Sequence, residues 1–194
     1  MKQFIIRKAA EKDRKQIANT IALCYEKEFS TLTKDMKKVL SALLPGIQIP
    51  RFYVADLNGK IVGIAACSDC RGRAVHIDKK AFQNSLGMVK GTLAIVFLTK
   101  EFMHSLPIPK DTGYIEFVGV QPKYQGHSIA RKIINNIIER TEYRKFVLCV
   151  TDINIPAQKS YQHIGFHEYK RIPERGRKIK GFKERIFMKY EKKI

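Results

Sequence analysis

Residues 113–139 hold a strand-like apolar run, a turn and an amphipathic helix, and this stretch limits the folds open to the chain most strongly. Ile129, Ile133 and Ile137 recur at helical spacing with Ile134 and Ile138 beside them, so one face of the helix is apolar and is expected to pack on a sheet. The turn before the helix contains small residues, so its backbone N–H groups can approach an anion. The stretch therefore predicts a strand that leads into an anion-binding helix start.

The remaining pattern predicts a mixed α/β sheet of about six to seven strands with helices on both faces. Strands are predicted at residues 3–8, 51–56, 60–67, 114–120, 145–150, 166–171 and 185–190, and helices at residues 10–29, 33–44, 79–104, 126–140 and 154–165. Asn58 and Gly59 join two strand-like runs, which predicts a hairpin. Thr33 is expected to cap the second helix, and residues 145–150 are expected to be buried on both faces of the sheet.

Residues 71–111 are interpreted as a helical insert in a single domain of residues 1–194. Gly87 and Gly91 interrupt the helical pattern of the insert, and each costs about 1 kcal/mol of helix stability relative to alanine. One broken helix or two helices are therefore expected there. Gly63, Ala65 and Ala66 in the strand before the insert predict that another element packs closely on that strand.

The formal net charge of +19 attracts polyanions, phosphorylated ligands and acidic surfaces, although a solvated basic surface explains it equally well. No apolar run reaches the roughly 18 residues of a membrane span, and residues 1–8 do not resemble a signal peptide. A cytoplasmic protein without a membrane partner is therefore expected. Cys67 and Cys70 have metal-ligand spacing without a second ligand pair, so no metal is expected. A homodimer remains open.

Neither a GxxxxGK[ST] nor a GxGxxG motif occurs, which disfavours kinases and nucleotide oxidoreductases. Two other motifs occur together: Val-x-Pro-x-Tyr-Gln-Gly-x-Ser-x-Ala at residues 120–130, and Asn-x-x-Ala-x-x-x-Tyr-x-x-x-Gly-Phe at residues 154–166. In combination they resemble the GNAT (N-acetyltransferase) superfamily, most sharply over residues 114–166. The resemblance implies the GNAT-like fold and an acyl-CoA-dependent enzyme. Such an enzyme moves acetyl from acetyl-CoA to a primary amine of a small molecule or peptide, by direct attack in a ternary complex.

The resemblance also implies where acetyl-CoA binds. Backbone groups of Val118, Gly119 and Val120 are expected along the acetyl-pantetheine arm. The residues expected around the pyrophosphate are Gln125, Gly126, His127, Ser128, Ile129, Ala130 and Arg131. Ser128 replaces a glycine of the family pattern, and it is expected to be tolerated because a residue at a helix start needs no positive φ. Asn154 and Ala157 are expected at the cofactor, and a plain N-cap role for Asn154 is equally open.

Tyr161 and Glu116 are the candidate catalytic residues. Tyr161 resembles the family's tyrosine that protonates the departing CoA thiolate, and its alternative is a buried core aromatic. Glu116 shares strand parity with Val118 and Val120, so all three are expected on one face, and Glu116 is the candidate base. Its alternative is a carboxylate paired with a lysine or arginine. Weaker candidates are His76, His104, His127, His163 and His167.

Two functions of other classes stay open. One is a non-catalytic CoA-binding adaptor. The other is a basic nucleic-acid or ribosome-associated protein, which the lack of an aromatic-interleaved basic motif disfavours. A basic loop at residues 171–183 contains Arg175, Arg177, Lys178, Lys180 and Lys183. If this loop lines the acceptor pocket, its charge favours acidic or phosphorylated acceptors over polycations.

Overall fold

A seven-stranded mixed sheet is the centre of the computed structural model, which describes residues 4–30, 33–102, 108–174 and 181–193. The strands are β1 (Ile5–Lys8), β2 (Phe52–Leu57), β3 (Lys60–Ser68), β4 (Thr112–Val120), β5 (Lys145–Thr151), β6 (His167–Pro173) and β7 (Glu184–Glu191). The helices are α1 (Arg14–Cys24), α2 (Glu26–Phe29), α3 (Met36–Leu43), α4 (Lys79–Leu86), α5 (Met88–Phe102), α6 (Ile129–Arg140) and α7 (Ile155–Ile164).

The strand order is β1-β2-β3-β4-β5-β7-β6, and only the β4–β5 pair is parallel. One face of the sheet packs on α1 to α5, and the other packs on α6 and α7. The predicted mixed sheet with helices on both faces is therefore confirmed. Within the described residues, no helix has the length and apolarity needed to cross a membrane.

The predicted hairpin is confirmed between β2 and β3. Asn58 and Gly59 have φ angles of 53° and 83°, and the amide of Gly59 donates to Asp56 Oδ1 at 2.6 Å. These two positive φ angles fit a two-residue turn between antiparallel strands, which asparagine and glycine adopt at low cost.

The first two helices differ from the prediction. A 3-10 turn at Glu11–Asp13 precedes α1, and Tyr25 with φ −116° and ψ 24° separates α1 from α2, so residues 10–29 do not form one helix. Asp35, not Thr33, caps α3, because the Asp35 side chain accepts a hydrogen bond from the amide of Lys37 at 3.0 Å. The prediction placed both helix starts too early.

The insert contains two helices, α4 and α5, separated by Gly87 at φ 84°. A Cβ on Gly91 would lie 2.7 Å from Gln83 Cα, so glycine at this position allows the two helices to approach closely. Both glycines therefore have the roles that the sequence suggested. The predicted extension of this helical region to His104 falls on residues 103–107, outside the described residues.

Candidate functional site

The parallel strands β4 and β5 separate along their length. They pair from Thr112 with Lys145 to Ile115 with Leu148, and the register ends there. Beyond this point β4 stays paired with β3 through Val120, and β5 stays paired with β7 through Thr151. Here β4 stays with β3, and β5 stays with β7. A wedge-shaped opening lies between β4 and β5, and the backbone groups on the β4 side have no partner on β5.

The strand β5 is not buried on both faces, which corrects the prediction for residues 145–150. Phe146, Leu148 and Val150 pack beneath α6 and α7, while Val147 and Cys149 on the opposite face are only partly buried. Because neighbouring residues of a strand point to opposite faces, this alternation identifies a face that the helices leave partly open. Cys149 is the first β5 residue beyond the last pair with β4.

A row of free backbone N–H groups lies at the start of α6. Among the described residues, no amide from residue 126 to residue 131 donates to a backbone carbonyl or a side chain, and the first bond of the helix runs from the amide of Lys132 to the carbonyl of Ser128 at 3.0 Å. Free N–H groups at a helix start, together with the helix dipole, favour an anion. Exposed Lys123, Arg131 and Lys132 add positive charge around this position.

The backbone of this turn bends through two positive φ angles. Gly126 has φ 80°, and Ser128, the N-cap of α6, has φ 57° and ψ 22°, which is left-handed. The expectation that Ser128 needs no positive φ is therefore wrong. The helix begins at Ile129, after this turn, and not at residue 126 as predicted. Ser128 thus occupies a conformation that glycine adopts more easily.

Side chains of the turn stay outside the row of amides. Gln125 Nε2 donates to the carbonyl of Val120 at 3.2 Å, and the ring of His127 lies with Nδ1 2.9 Å from the carbonyl of Gln125. Arg131 Nη2 donates to Ser128 Oγ at 3.3 Å. Ile129 is buried, whereas residues 125–128 are exposed and Ala130 is partly buried. These side chains therefore bond other groups of the turn and, within the part of the chain that the structure describes, leave the amides of residues 126–131 unbonded.

Close packing on β3 fixes the start of α6. A Cβ on Gly63 would lie 2.7 Å from Ile129 Cγ2 and 3.3 Å from Ile133 Cδ1. The small residues of β3 therefore let α6 approach the sheet closely, as the sequence predicted. Because Ile129 is the first residue of α6, this contact determines where the free amides stand relative to β4.

A β-bulge in β4 changes the direction of Glu116. Two residues of β3, Ile64 and Ala66, pair with Gly119 and Glu116, so β4 has one residue more than β3 between these pairs, and Phe117 there has φ 50°. Glu116 therefore does not share a face with Val118 and Val120, and the prediction that it does is wrong. Val118 and Val120 pack toward α6 and α7, whereas Glu116 bonds Ala74 of the opposite core.

The carboxylate of Glu116 is buried among donors. Arg73 Nε donates to Oε2 at 2.9 Å and Arg73 Nη2 donates to the same oxygen, while the amide of Ala74 donates to Oε1 at 2.9 Å. The hydroxyl of Ser68 also donates to Oε1. Glu116 is thus the arginine-paired carboxylate that the sequence allowed as its alternative role. These donors take up about all the lone-pair sites that a carboxylate offers.

Tyr161 is buried on α7, facing the sheet. Burial, reinforced by the nearby Cys149, raises the pKa of the Tyr161 hydroxyl well above its usual range. The hydroxyl therefore keeps its proton at neutral pH, as a proton donor must. Among the described residues, no hydrogen bond to this hydroxyl is found, and the ring of Tyr161 packs on Phe166 with centroids 6.3 Å apart.

Asn154 caps α7, as predicted. Its Oδ1 accepts a hydrogen bond from the amide of Ala157 at 3.3 Å, and Gly165 ends the helix with φ 108°. Asn154 is exposed and Ala157 is partly buried. The cap fixes the start of α7, which follows β5 in the chain. The strand β5 forms one side of the opening.

The sequence reasoning did not identify the cluster around Tyr114. The guanidinium carbon of Arg73 lies 5.0 Å from the centre of the Tyr114 ring, and burial raises the pKa of Tyr114 beyond its usual range, with Cys149 adding to the shift. These residues lie 41 and 35 positions from Tyr114 in the chain, so no local pattern joins them. Cys149 stands out only in the structure, through the alternation of buried and partly buried residues along β5.

The acetyltransferase (GNAT) family matches residues 15–166 of the chain, across the opening and the free amides described above. The chain belongs to this family. Members of the family transfer acetyl groups, so the wedge between β4 and β5 and the start of α6 are the candidate active site of a GNAT acetyltransferase. No curated protein matches the sequence significantly.

Solved structures agree with the fold of a GNAT acetyltransferase. An N-acetyltransferase from Staphylococcus aureus Mu50 is 18% identical, with a TM-score of 0.64 over 96% of this chain and 100% of that chain. The ribosomal-protein-S18-alanine N-acetyltransferase from Escherichia coli is 14% identical, with a TM-score of 0.57 over 99% and 96% of the two chains. A Drosophila melanogaster polyamine N-acetyltransferase is 13% identical, with a TM-score of 0.59 over 98% and 100%. At these identities the likeness establishes the fold alone.

Proposed function

We propose that this GNAT protein transfers acetyl from acetyl-CoA to a primary amine by direct attack in a ternary complex. The observation that carries the proposal is the row of unbonded amides at residues 126–131 beside the opening between β4 and β5. A pyrophosphate fits this row because backbone N–H groups and a helix dipole converge there. Backbone groups of Val118, Gly119 and Val120 lie on β4 beyond its last pair with β5, where they fit an extended arm that follows the strand.

The chain's own groups have separate tasks in this reaction. When bound, acetyl-CoA would supply the acyl carbon for the new C–N bond, and its thiolate would be the leaving group. Tyr161, whose phenol holds its proton at neutral pH, would donate that proton to the leaving thiolate. An amide of β4 near Val118 donates to the oxyanion that develops on the thioester carbonyl. Asn154 and Ala157 hold the α7 end that faces the cofactor.

The proton of the attacking amine requires an acceptor, and Glu116 is the proposed base. Its four donors oppose a direct role, so the proposed relay runs through a water that would replace one of these donors, with Arg73 holding the charge in position. The Glu116→Gln substitution measures what it contributes.

The acceptor is proposed to be a small-molecule or peptide amine with acidic or phosphorylated groups. The net charge of +19 favours such acceptors and repels polycations. Most of the basic loop invoked for this argument, including Arg175, Arg177, Lys178 and Lys180, lies outside the described residues. Acetylation of a polyamine in preference to an acidic peptide would contradict the charge argument.

The experiment that tests the proposal combines calorimetry with turnover on an amine panel. Saturable acetyl-CoA binding with sub-millimolar affinity and acetylated product are expected from the wild type. Tyr161→Phe is expected to keep the binding and to lose about 100-fold in kcat, the lower end of what a general acid contributes. Tyr190→Phe is the matched control, because it removes a tyrosine hydroxyl elsewhere in the same core, and its kcat should equal that of the wild type.

Binding without turnover in every protein would favour the non-catalytic CoA-binding alternative. Absence of heat with both acetyl-CoA and CoA would end the proposal. In that case steeply salt-dependent RNA or DNA binding would favour the basic nucleic-acid alternative.

A further inference from the structure

The helix α5 is apolar on two opposite sides. Ala94, Ile95 and Leu98 are buried against the core that also includes α1, α3 and α4. The outer side carries Met88, Val89, Leu93 and Val96, which are 69%, 76%, 64% and 65% exposed. We call these four residues the α5 ridge. A helix that is apolar all round is normally buried, so the α5 ridge indicates a surface that becomes covered.

Spacing makes the α5 ridge continuous. Val89, Leu93 and Val96 follow one another at intervals of four and three residues, so their side chains form a single row along the helix. Met88 lies beside this row at the amino end. The row stands on the outside of the helical layer, so it is convex and presents no pocket to an inserted side chain.

Positive charge lies at the flank of the α5 ridge and on the neighbouring helix α4. Lys90 lies about 100° around the helix from Val89, at the flank of the row. Lys79 and Lys80 are exposed on α4, which packs against α5, and the acidic residues from residue 78 to the end of α5 are Asp78 and Glu101. An aliphatic row flanked by lysines is the pattern of a helix that lies in a membrane interface.

We propose that the α5 ridge docks this protein on an anionic lipid surface, with the helix axis parallel to the membrane plane. The surface would take up the aliphatic row, while Lys79, Lys80 and Lys90 would reach the anionic headgroups. The net charge of +19 points to an anionic rather than a neutral membrane. This proposal departs from the sequence-based expectation of no membrane partner, which considered only segments that span a bilayer.

Two other occupants fit less well. Protein interfaces usually need about 800 Å² on each partner, anchored by tyrosine, tryptophan or arginine, and the ridge residues are four aliphatic side chains. A second copy of the chain on the ridge would bring Lys90 and the α4 lysines toward the same groups of its partner. A lipid surface requires no shape complementarity and supplies the opposite charge.

Vesicle co-sedimentation of the full chain tests the proposal. Vesicles of phosphatidylcholine and phosphatidylserine at roughly 2:1 are compared with phosphatidylcholine alone at near-physiological salt. Wild-type protein should bind the anionic vesicles at least tenfold more strongly. The triple variant Val89→Gln, Leu93→Gln, Val96→Gln keeps good helix propensity and should lose at least tenfold in binding.

Two further variants separate apolar from electrostatic contributions. Lys79→Gln, Lys80→Gln, Lys90→Gln should weaken binding by about 100-fold, because each lysine near an anionic membrane contributes roughly a factor of five. Ile5→Ser removes an aliphatic side chain that is 63% exposed on β1 and should change nothing. Thermal unfolding of each variant verifies the fold.

Three results would overturn the proposal: no vesicle binding by the wild type, equal binding to neutral and anionic vesicles, or unchanged binding by the ridge variant. A dimer that the ridge variant converts to a monomer, without vesicle binding, would assign the α5 ridge to a second copy instead. None of these readouts depends on acetyl transfer, so the inference stands apart from the proposed function.

Discussion

Replacing Ser128 by glycine should stabilise this protein, although glycine usually weakens a helix start. Ser128 has φ 57° and ψ 22°, a left-handed conformation that costs a non-glycine residue about 1–2 kcal/mol. Glycine removes that cost but loses about 0.5–1 kcal/mol through its greater freedom in the unfolded chain. Within the described part of the chain, the side-chain bond that is lost comes from Arg131 at 3.3 Å on the exposed surface. The net gain is therefore between about 0 and 1.5 kcal/mol, with a central value of roughly 0.75 kcal/mol.

Urea and thermal unfolding measure this gain. At the central value the expected increase in Tm is about 1.5–3 °C, from roughly 2–4 °C per kcal/mol for a chain of this size. Ser128→Ala is the control, because it removes the hydroxyl and keeps the strain, so its Tm should not rise. If Ser128→Gly lowered the stability while Ser128→Ala left it unchanged, the positive φ would not be a source of strain and the reasoning would be refuted.

Three further predictions concern buried contacts near the site. Glu116→Gln should keep cofactor binding and slow turnover, and unchanged turnover would exclude Glu116 as the base. The same substitution should lower the free energy of unfolding in urea by about 3 kcal/mol, because it removes the charge that faces the guanidinium of Arg73. Gly63→Ala should cost about 1–3 kcal/mol and weaken CoA binding in calorimetry, because the new methyl meets Ile129. If CoA affinity stayed the same, the close packing would not position the amides. Asp69 is buried, which alone would raise the pKa of its carboxyl, but donors from Arg71 and Tyr143 outweigh burial and lower it. The contribution of Asp69 to the free energy of unfolding is the wild-type value minus the value for Asp69→Asn. This difference should be complete above about pH 5 and decline as the pH falls through the folded pKa. A difference that grew on acidification would contradict the expected sign.

Local signals in the sequence predicted most of the elements. The Asn58–Gly59 turn, the isoleucine spacing of α6 and the two marked ends of α7 depend on neighbours in the chain, and all three were found. Helix starts were less accurate, since several polar residues near a helix start can act as the cap. At α3 the choice between Thr33 and Asp35 depends on backbone geometry that composition does not show.

Long-range contacts decided what the sequence missed. The bulge at Phe117 depends on the register between β3 and β4, and it moved Glu116 to the other face of the sheet. Arg73 reaches Glu116 from the insert, across 43 residues, with no pattern that selects it among the many basic residues. The roles of the site residues named from the family resemblance are predictions.

Amide NMR during a CoA titration tests the central claim most directly. The backbone N–H groups of residues 126–131 are predicted to shift together and to saturate at sub-millimolar CoA, because they are free in the structure and face the proposed pyrophosphate. Amides of α4, which lies on the other face of the sheet, should stay in place. If the signals of residues 126–131 did not move while CoA bound elsewhere, or if CoA did not bind, the assignment of this helix start as the pyrophosphate site would be contradicted.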